Sequence, residues 1–204
     1  QGRVWIYLDR DGRTAYDFTD SRSQDGPLQW LKGFKGYMHA DAYPGYDAAY
    51  VPDGAIEVAC WAHARRKFVD AERSEPDLAA EILSRIRDLY AIERAAKDAE
   101  LTDQKRYELR QEKAPPILEG LRARLAAMET QALPKSPLGK AIGYAQRQWT
   151  ALCRYIEDGR LEIDNNAAER GLRGFAVGRK NWLFFQREGG GRTAAILASL
   201  LATA

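Results

Sequence analysis

A chain of 204 residues with 45% hydrophobic and 29% charged residues can bury a sizeable core and is too apolar to be disordered. Lys and Arg number 31 against 29 Asp and Glu, a net charge of +2, so a surface for polyanions must come from local clustering of charge, not from a global excess. Two cysteines exclude a disulfide framework and fit a reducing, cytoplasmic setting, while the absence of a long apolar run or a signal-peptide pattern at the start argues against a membrane role.

The first segment reads as a β-hairpin. Val4, Ile6 and Leu8 alternate with Trp5 and Tyr7 over Arg3–Asp9, Asp11-Gly12 supplies turn chemistry, and Thr14–Thr19 returns. Leu28, Leu31 and Phe34 predict a short helix over Pro27–Phe34, and Gly36–Ala40 reads as a strand ending at Asp41. Tyr43-Pro44-Gly45 breaks the chain before a short helix through Ala48, and Ile56–Trp61 reads as a buried strand. From there the character is helical. Ala62–Glu72 is basic; after Pro76 comes an apolar stripe of Leu78, Ile82, Ile86, Leu89 and Ile92. Pro115-Pro116 is expected to start a further helix through Leu118, Leu121 and Leu125. Breaks at Pro134 and Pro137 precede the stripe Leu138, Ile142, Ala145, Trp149, Leu152 and Ile156, which ends at Asp158-Gly159. A helix pair joined by an extended apolar stretch closes the chain, with Gly189-Gly190-Gly191 as a turn before a helix over Thr193–Ala204.

Leu161–Phe185 carries the densest chemistry. Glu169 stands among Asn165, Asn166, Arg170 and Arg173 at helical spacing, with Asp164 expected as the N-cap and Arg179-Lys180 following. A carboxylate escorted by amides and guanidinium groups suits a site that holds a metal ion and a phosphate; the plainer alternative is a solvated helix with a weak Glu–Arg pair. Asp41, at a strand end before a sharp turn, reads either as a site acid or as a loop aspartate capping the next helix. Cys60 and His63 lack the partners a structural zinc needs, so Cys60 reads as a small buried residue and His63 as a packed side chain or a phosphate contact. Two basic clusters, Arg65-Arg66-Lys67 and Arg170, Arg173, Arg179, Lys180, interleave with Phe68, Phe175, Trp182 and Phe184, a composition that suits a DNA-binding groove.

Four blocks in order, ADAYPGY (Ala40–Tyr46), CWAHARRKF (Cys60–Phe68), KSPLGKAIGYAQRQW (Lys135–Trp149) and DNNAAERGLRGFAVGRKNWLF from Asp164, resemble the transposases of the insertion-sequence-66 family. The resemblance implies an α/β, ribonuclease-H-like mixed sheet with flanking helices, interrupted by a large all-helical insertion. The core would cover 1–61 and 160–204 and the insertion 62–159. It implies that Asp41 is the second and Glu169 the third of three acids that bind Mg2+ or Mn2+, in a two-metal site of the complete enzyme. Cys60 and His63 are similar to a Cys-x-x-His element of the distant hAT-type transposases. His63, Arg65, Arg66, Lys67, Arg170, Arg173, Arg179 and Lys180 would contact DNA, at insertion-sequence ends and at target DNA, and self-association is implied as well.

The family's first aspartate is expected upstream of the Arg3–Asp9 hairpin, and Asp9 and Asp11 are explained by the turn. A chain that begins at Gln1 therefore reads as a piece of a longer one, with the first strand missing and little activity expected of it alone. Two other readings compete: a catalytically dead DNA-binding remnant or regulator, and a general nuclease of the same fold class. DNA binding indifferent to magnesium would mark the remnant, and cleavage of DNA without element ends would mark the nuclease.

Overall fold

The computed structural model describes residues 2–175, 177 and 188–203. The chain is mixed α/β and divides into two compact units, one of 1–36, 43–56 and 165–204, the other of 37–42 and 57–164. Its described strands form two separate two-stranded sheets, not one larger mixed sheet.

In the first unit, β1 (Arg3–Leu8) and β2 (Thr14–Thr19) pair antiparallel with Ile6 opposite Tyr16. The Asp9 carboxylate accepts the Arg13 amide at 2.8 Å, which closes the turn. Helix α1 covers Asp25–Trp30, two residues earlier at its start than the apolar spacing suggests. Pro27 fits a first turn, where its missing N–H costs nothing, and Gly33 at φ 80° forbids continuation to Phe34. A 3-10 helix at Pro44–Ala49 follows the YPGY turn, whose Tyr43 and Tyr46 rings pack edge-on at 5.6 Å and both meet Trp5. Gly45 is required there, because a Cβ would collide with the Tyr43 ring.

Strands β3 (Gly36–Ala40) and β4 (Ala55–Ala59) pair with each other. The strand expected to reach Trp61 stops at Ala59, and Trp61 instead opens α2 (Trp61–Ala71). Its amide donates to Ile163 O at 3.2 Å and its indole to Leu152 O at 2.8 Å, so burial of this ring fixes the start of the helical block.

The second unit is built on α2, α3 (Pro76–Asp98), α4 (Asp103–Glu129), α5 (Pro137–Arg147) and α6 (Trp149–Cys153) around one apolar core. Pro115 and Pro116 do not begin α4; the helix runs through both. Two interior prolines cost about 3 kcal/mol each in an unsupported helix. The carbonyls they orphan belong to Gln111 and Glu112, on the exposed side where water serves them. On the other side Leu118, Leu121, Leu125 and Met128 are buried, each contributing about 1.5–3 kcal/mol, which outweighs the penalty. The real N-cap lies further back at Thr102, whose hydroxyl accepts from the Lys105 amide.

Arg110 is wholly buried on α4 and spends every guanidinium proton. It donates to both Glu93 oxygens at 2.8 and 2.7 Å, and to the carbonyls of Tyr155, Asp158 and Leu161 at 2.7, 2.9 and 2.8 Å. Arg106 extends the network from Glu93 to Glu162. Burial alone would raise the Glu162 carboxyl, but the hydrogen bonds and charge of Arg106 prevail and hold it below its usual range. Replacing Arg110 with Met should destabilise the chain by about 3–5 kcal/mol, because three carbonyls lose this donor in a dry site and Glu93 keeps only Arg106. Urea unfolding followed by circular dichroism measures it, and a loss under about 1 kcal/mol would show that water reaches these groups.

Candidate functional site

Asp41 leaves β3 into an exposed position, and Ala42 behind it adopts φ 58°, a left-handed conformation that costs a non-glycine residue about 1–2 kcal/mol. The 3-10 helix that follows has Tyr43 at its N-cap position, not Asp41, and no side-chain cap bond.

The second unit also carries polar groups at the start of α2 and on α5 (Pro137–Arg147). Cys60 is fully buried at the N-cap of α2, as a small residue at a strand end should be. His63 is half-buried on the next turn, and Arg65, Arg66 and Lys67 are exposed, since Trp61, Ala64, Phe68 and Ala71 take the buried face. The Lys67 ammonium stands 4.7 Å from the Tyr144 ring centroid on α5. Burial, then the charges of Cys60, Asp41 and Glu57, raise the Tyr144 hydroxyl to about 12, so it stays protonated and within electrostatic reach of Asp41. The sequence reading missed Tyr144, though a hydroxyl inside the stripe of Leu138, Ile142 and Ala145 was a visible signal.

Asp164 does not cap the glutamate-bearing helix. Its carboxylate accepts the Tyr90 hydroxyl at 2.8 Å, and the N-cap position belongs to Asn165, without a side-chain cap bond. Tyr90 is raised above its usual range by burial first and by Asp164 next.

Glu169 lies in the first unit on α7 (Asn166–Gly171), half-buried, with Arg170 and Arg173 exposed. Its amide donates to Asn165 O at 3.2 Å. The helix ends at Gly171, so Arg173 belongs to the next helical turn rather than to one face shared with Asn165. A Cβ at Gly171 would meet the end of the Ile6 side chain of β1, and Tyr16 donates its hydroxyl to Gly171 O at 3.0 Å. The hairpin therefore fixes this helix, and the Tyr16 and Phe175 rings reinforce it at 5.1 Å. Helix α8 (Glu188–Thr203) covers β2: the Tyr16 amide donates to Ser199 Oγ at 2.8 Å, and Gly191 faces Phe18 where a Cβ could not fit. Gly189–Gly191 thus lie inside a helix, not in a turn before it. Arg179, Lys180, Trp182 and Phe184 lie outside the described residues.

Among the described residues no three His, Cys, Asp or Glu side chains gather at one point, and no helix is long and apolar enough to cross a membrane. In one unit Tyr144 feels the charge of Asp41 and carries the Lys67 ammonium over its ring, and the other unit places Glu169 with Arg170.

The chain belongs to the IS66 family of transposases, whose profile matches residues 1–193. Three uncharacterized proteins of Sinorhizobium fredii (strain NBRC 101917 / NGR234) are similar to it. The protein y4jD is 36% identical over 198 residues, 93% of this chain and 38% of its own length. The protein y4qI is 38% identical over 217 residues, 98% of this chain and 40% of its own. The protein y4hP is 30% identical over 227 residues, 99% of this chain and 41% of its own. The chain thus spans about two fifths of the length of these curated relatives. No solved structure matches it.

His39, two residues before Asp41, provides a pH test of this edge. Burial lowers its pKa, opposed by its Nε2 contact with Ala59 O at 3.0 Å and by Asp164 and Glu162, with His63 adding to the lowering. With the folded pKa below the unfolded one, the unfolded chain binds more protons between the two values. Stability is then full above about pH 6.5 and falls as the pH drops toward the folded value. The urea midpoint should decline between about pH 7 and 5.5 in the natural chain and decline less in His39→Gln. An unchanged slope in the variant would assign the effect elsewhere.

Proposed function

We propose that this chain is the catalytic part of a bacterial DNA transposase, with Asp41 and Glu169 as two of the acids that hold a divalent metal. The observation that carries the reading is family membership across 1–193, joined to an accessible acid in each of the two motif blocks expected to bear one. A ribonuclease-H-like core is part of the proposal, and the strand–acid–turn order of Gly36–Ala40, Asp41 and Ala42 supports it.

The donors fit the ion. Aspartate and glutamate oxygens are hard ligands of the kind Mg2+ and Mn2+ prefer, and such ions commonly take one or two carboxylates and fill their remaining positions with water and substrate phosphate. When bound, the metal would lower the cost of negative charge on the attacking and leaving oxygens of an in-line displacement. The chain's own residues do the rest. Arg170 and Arg173, exposed beside Glu169, offer planar forks to backbone phosphates; Arg65 and Arg66 on the outer face of α2, with His63, extend that contact in the second unit. Lys67, held over the Tyr144 ring, adds a positive charge on the exposed face of α2. No side chain need become covalently attached, since water and then a DNA 3′-hydroxyl serve as nucleophiles. Arg179 and Lys180 and self-association on paired ends complete the proposal.

The test is joining of a labelled insertion-sequence end to target DNA by the full gene product in magnesium. Asp41→Ala and Glu169→Ala should each slow joining by at least about a hundredfold and leave duplex affinity within about twofold, since ligand loss weakens metal binding rather than phosphate contact. Joining at the natural rate by either variant would remove that residue from the metal site. Joining unaffected by a chelator would end the metal reading.

A further inference from the structure

The first unit carries a concave surface lined by none of the candidate site residues. After α1 the chain turns through Leu31–Lys35 and forms, with Ala48–Gly54, an open groove of about 400 Å3. Its floor is apolar, made by Leu28, Leu31, Ala49 and Val51. Phe34 lines it while remaining 42% exposed, and Val51 is 53% exposed, so two large apolar groups face water at one depression. Lys32 and Lys35 flank Phe34 and are exposed, against a single acid in the lining, Asp53. Gly33, between Lys32 and Phe34, has open space where a side chain would project, so a ligand can approach the backbone there. Just upstream, Trp30 is stacked on Tyr7 at 4.8 Å and 12° and is also 48% exposed, which extends the alternation of aromatic and basic residues.

We propose that this groove binds an unpaired nucleotide of single-stranded DNA, its base against Phe34 and the apolar floor and its flanking phosphates on Lys32 and Lys35. The proposal rests on the reading of the chain as a protein that acts on DNA. Charge complementarity and ring chemistry decide the occupant. A duplex presents phosphates outward and keeps its bases stacked, so it has no use for an apolar floor. An unpaired base has an open π-face that an exposed phenylalanine accepts, and a backbone that two lysines can follow. A purely apolar partner would leave both ammonium groups without a role, and a purely anionic one would leave Phe34 and Val51 in water.

The experiment is a titration of the full chain with a short labelled single strand and, separately, with a duplex, across a range of salt. Phe34→Ala should weaken single-strand binding by about tenfold, the order expected for one stacked base, with duplex binding within about twofold. Phe34→Tyr, which keeps the ring, should bind like the natural chain. Replacing Lys32 and Lys35 together with Gln should reduce the salt slope by about 1.4, at about 0.7 per phosphate contact on a single strand. The groove is overturned if Phe34→Ala leaves single-strand affinity unchanged, if it weakens both forms equally, or if the natural chain binds duplex alone. In that last case the transposase reading stands. If the natural chain binds neither form, the transposase reading falls with the groove.

Discussion

The buried guanidinium of Arg110 is the constraint on which the helical unit depends. A positive charge taken fully out of water is tolerable only when every proton is bonded, and here Glu93 and three carbonyls of the 155–161 segment supply those bonds. The segment is thereby tied to both long helices, α3 through Glu93 and α4 through Arg110. Gly159 completes the fit, since a Cβ there would collide with the Asp103 carbonyl. Beyond it, Ile163 accepts the Trp61 amide, so the same segment sets where α2 starts, next to Cys60 and the exposed basic residues. Precision in the core is thus passed to a polar edge by backbone hydrogen bonds.

The first unit solves a different problem. A two-stranded hairpin is marginal by itself, and this one gains stability from the helices laid on it. Tyr16 is the common point: its amide meets Ser199 of α8 and its hydroxyl meets Gly171 of α7. Glu169, on α7, is held by that arrangement without itself being part of the core.

Local rules read the sequence well where local forces decide. The hairpin register follows from alternation and an Asp-Gly turn, and α5 begins where Ser136 can cap and Pro137 costs nothing. They misled where a long-range term was larger. Pro115-Pro116 signals a helix start, yet the apolar stripe beyond it holds α4 continuous. Trp61 looks like the end of a strand, yet its ring and amide find partners about 90 and 100 residues away and pull it into a helix. Asp164 has the composition of an N-cap, but a tyrosine from α3 offers its carboxylate a partly buried partner. Three successive glycines suggest a turn, but close packing on Phe18 gives one of them a reason to be helical.

The sequence by itself determined the family, because four motif blocks in a fixed order are a chemical pattern independent of packing. It also determined the mixed α/β class, the periodic helices and the two acids that merit attention, since alternation, helical spacing and ionisable side chains are properties of short segments. Tertiary structure alone decided that Arg110 is buried and fully bonded, that Tyr144 meets Lys67 and feels the charge of Asp41, and that Phe34 lines a groove. Each of those depends on residues remote in the chain meeting in space, and the free energy of such meetings belongs to the pair and its solvent exposure, which no local pattern encodes.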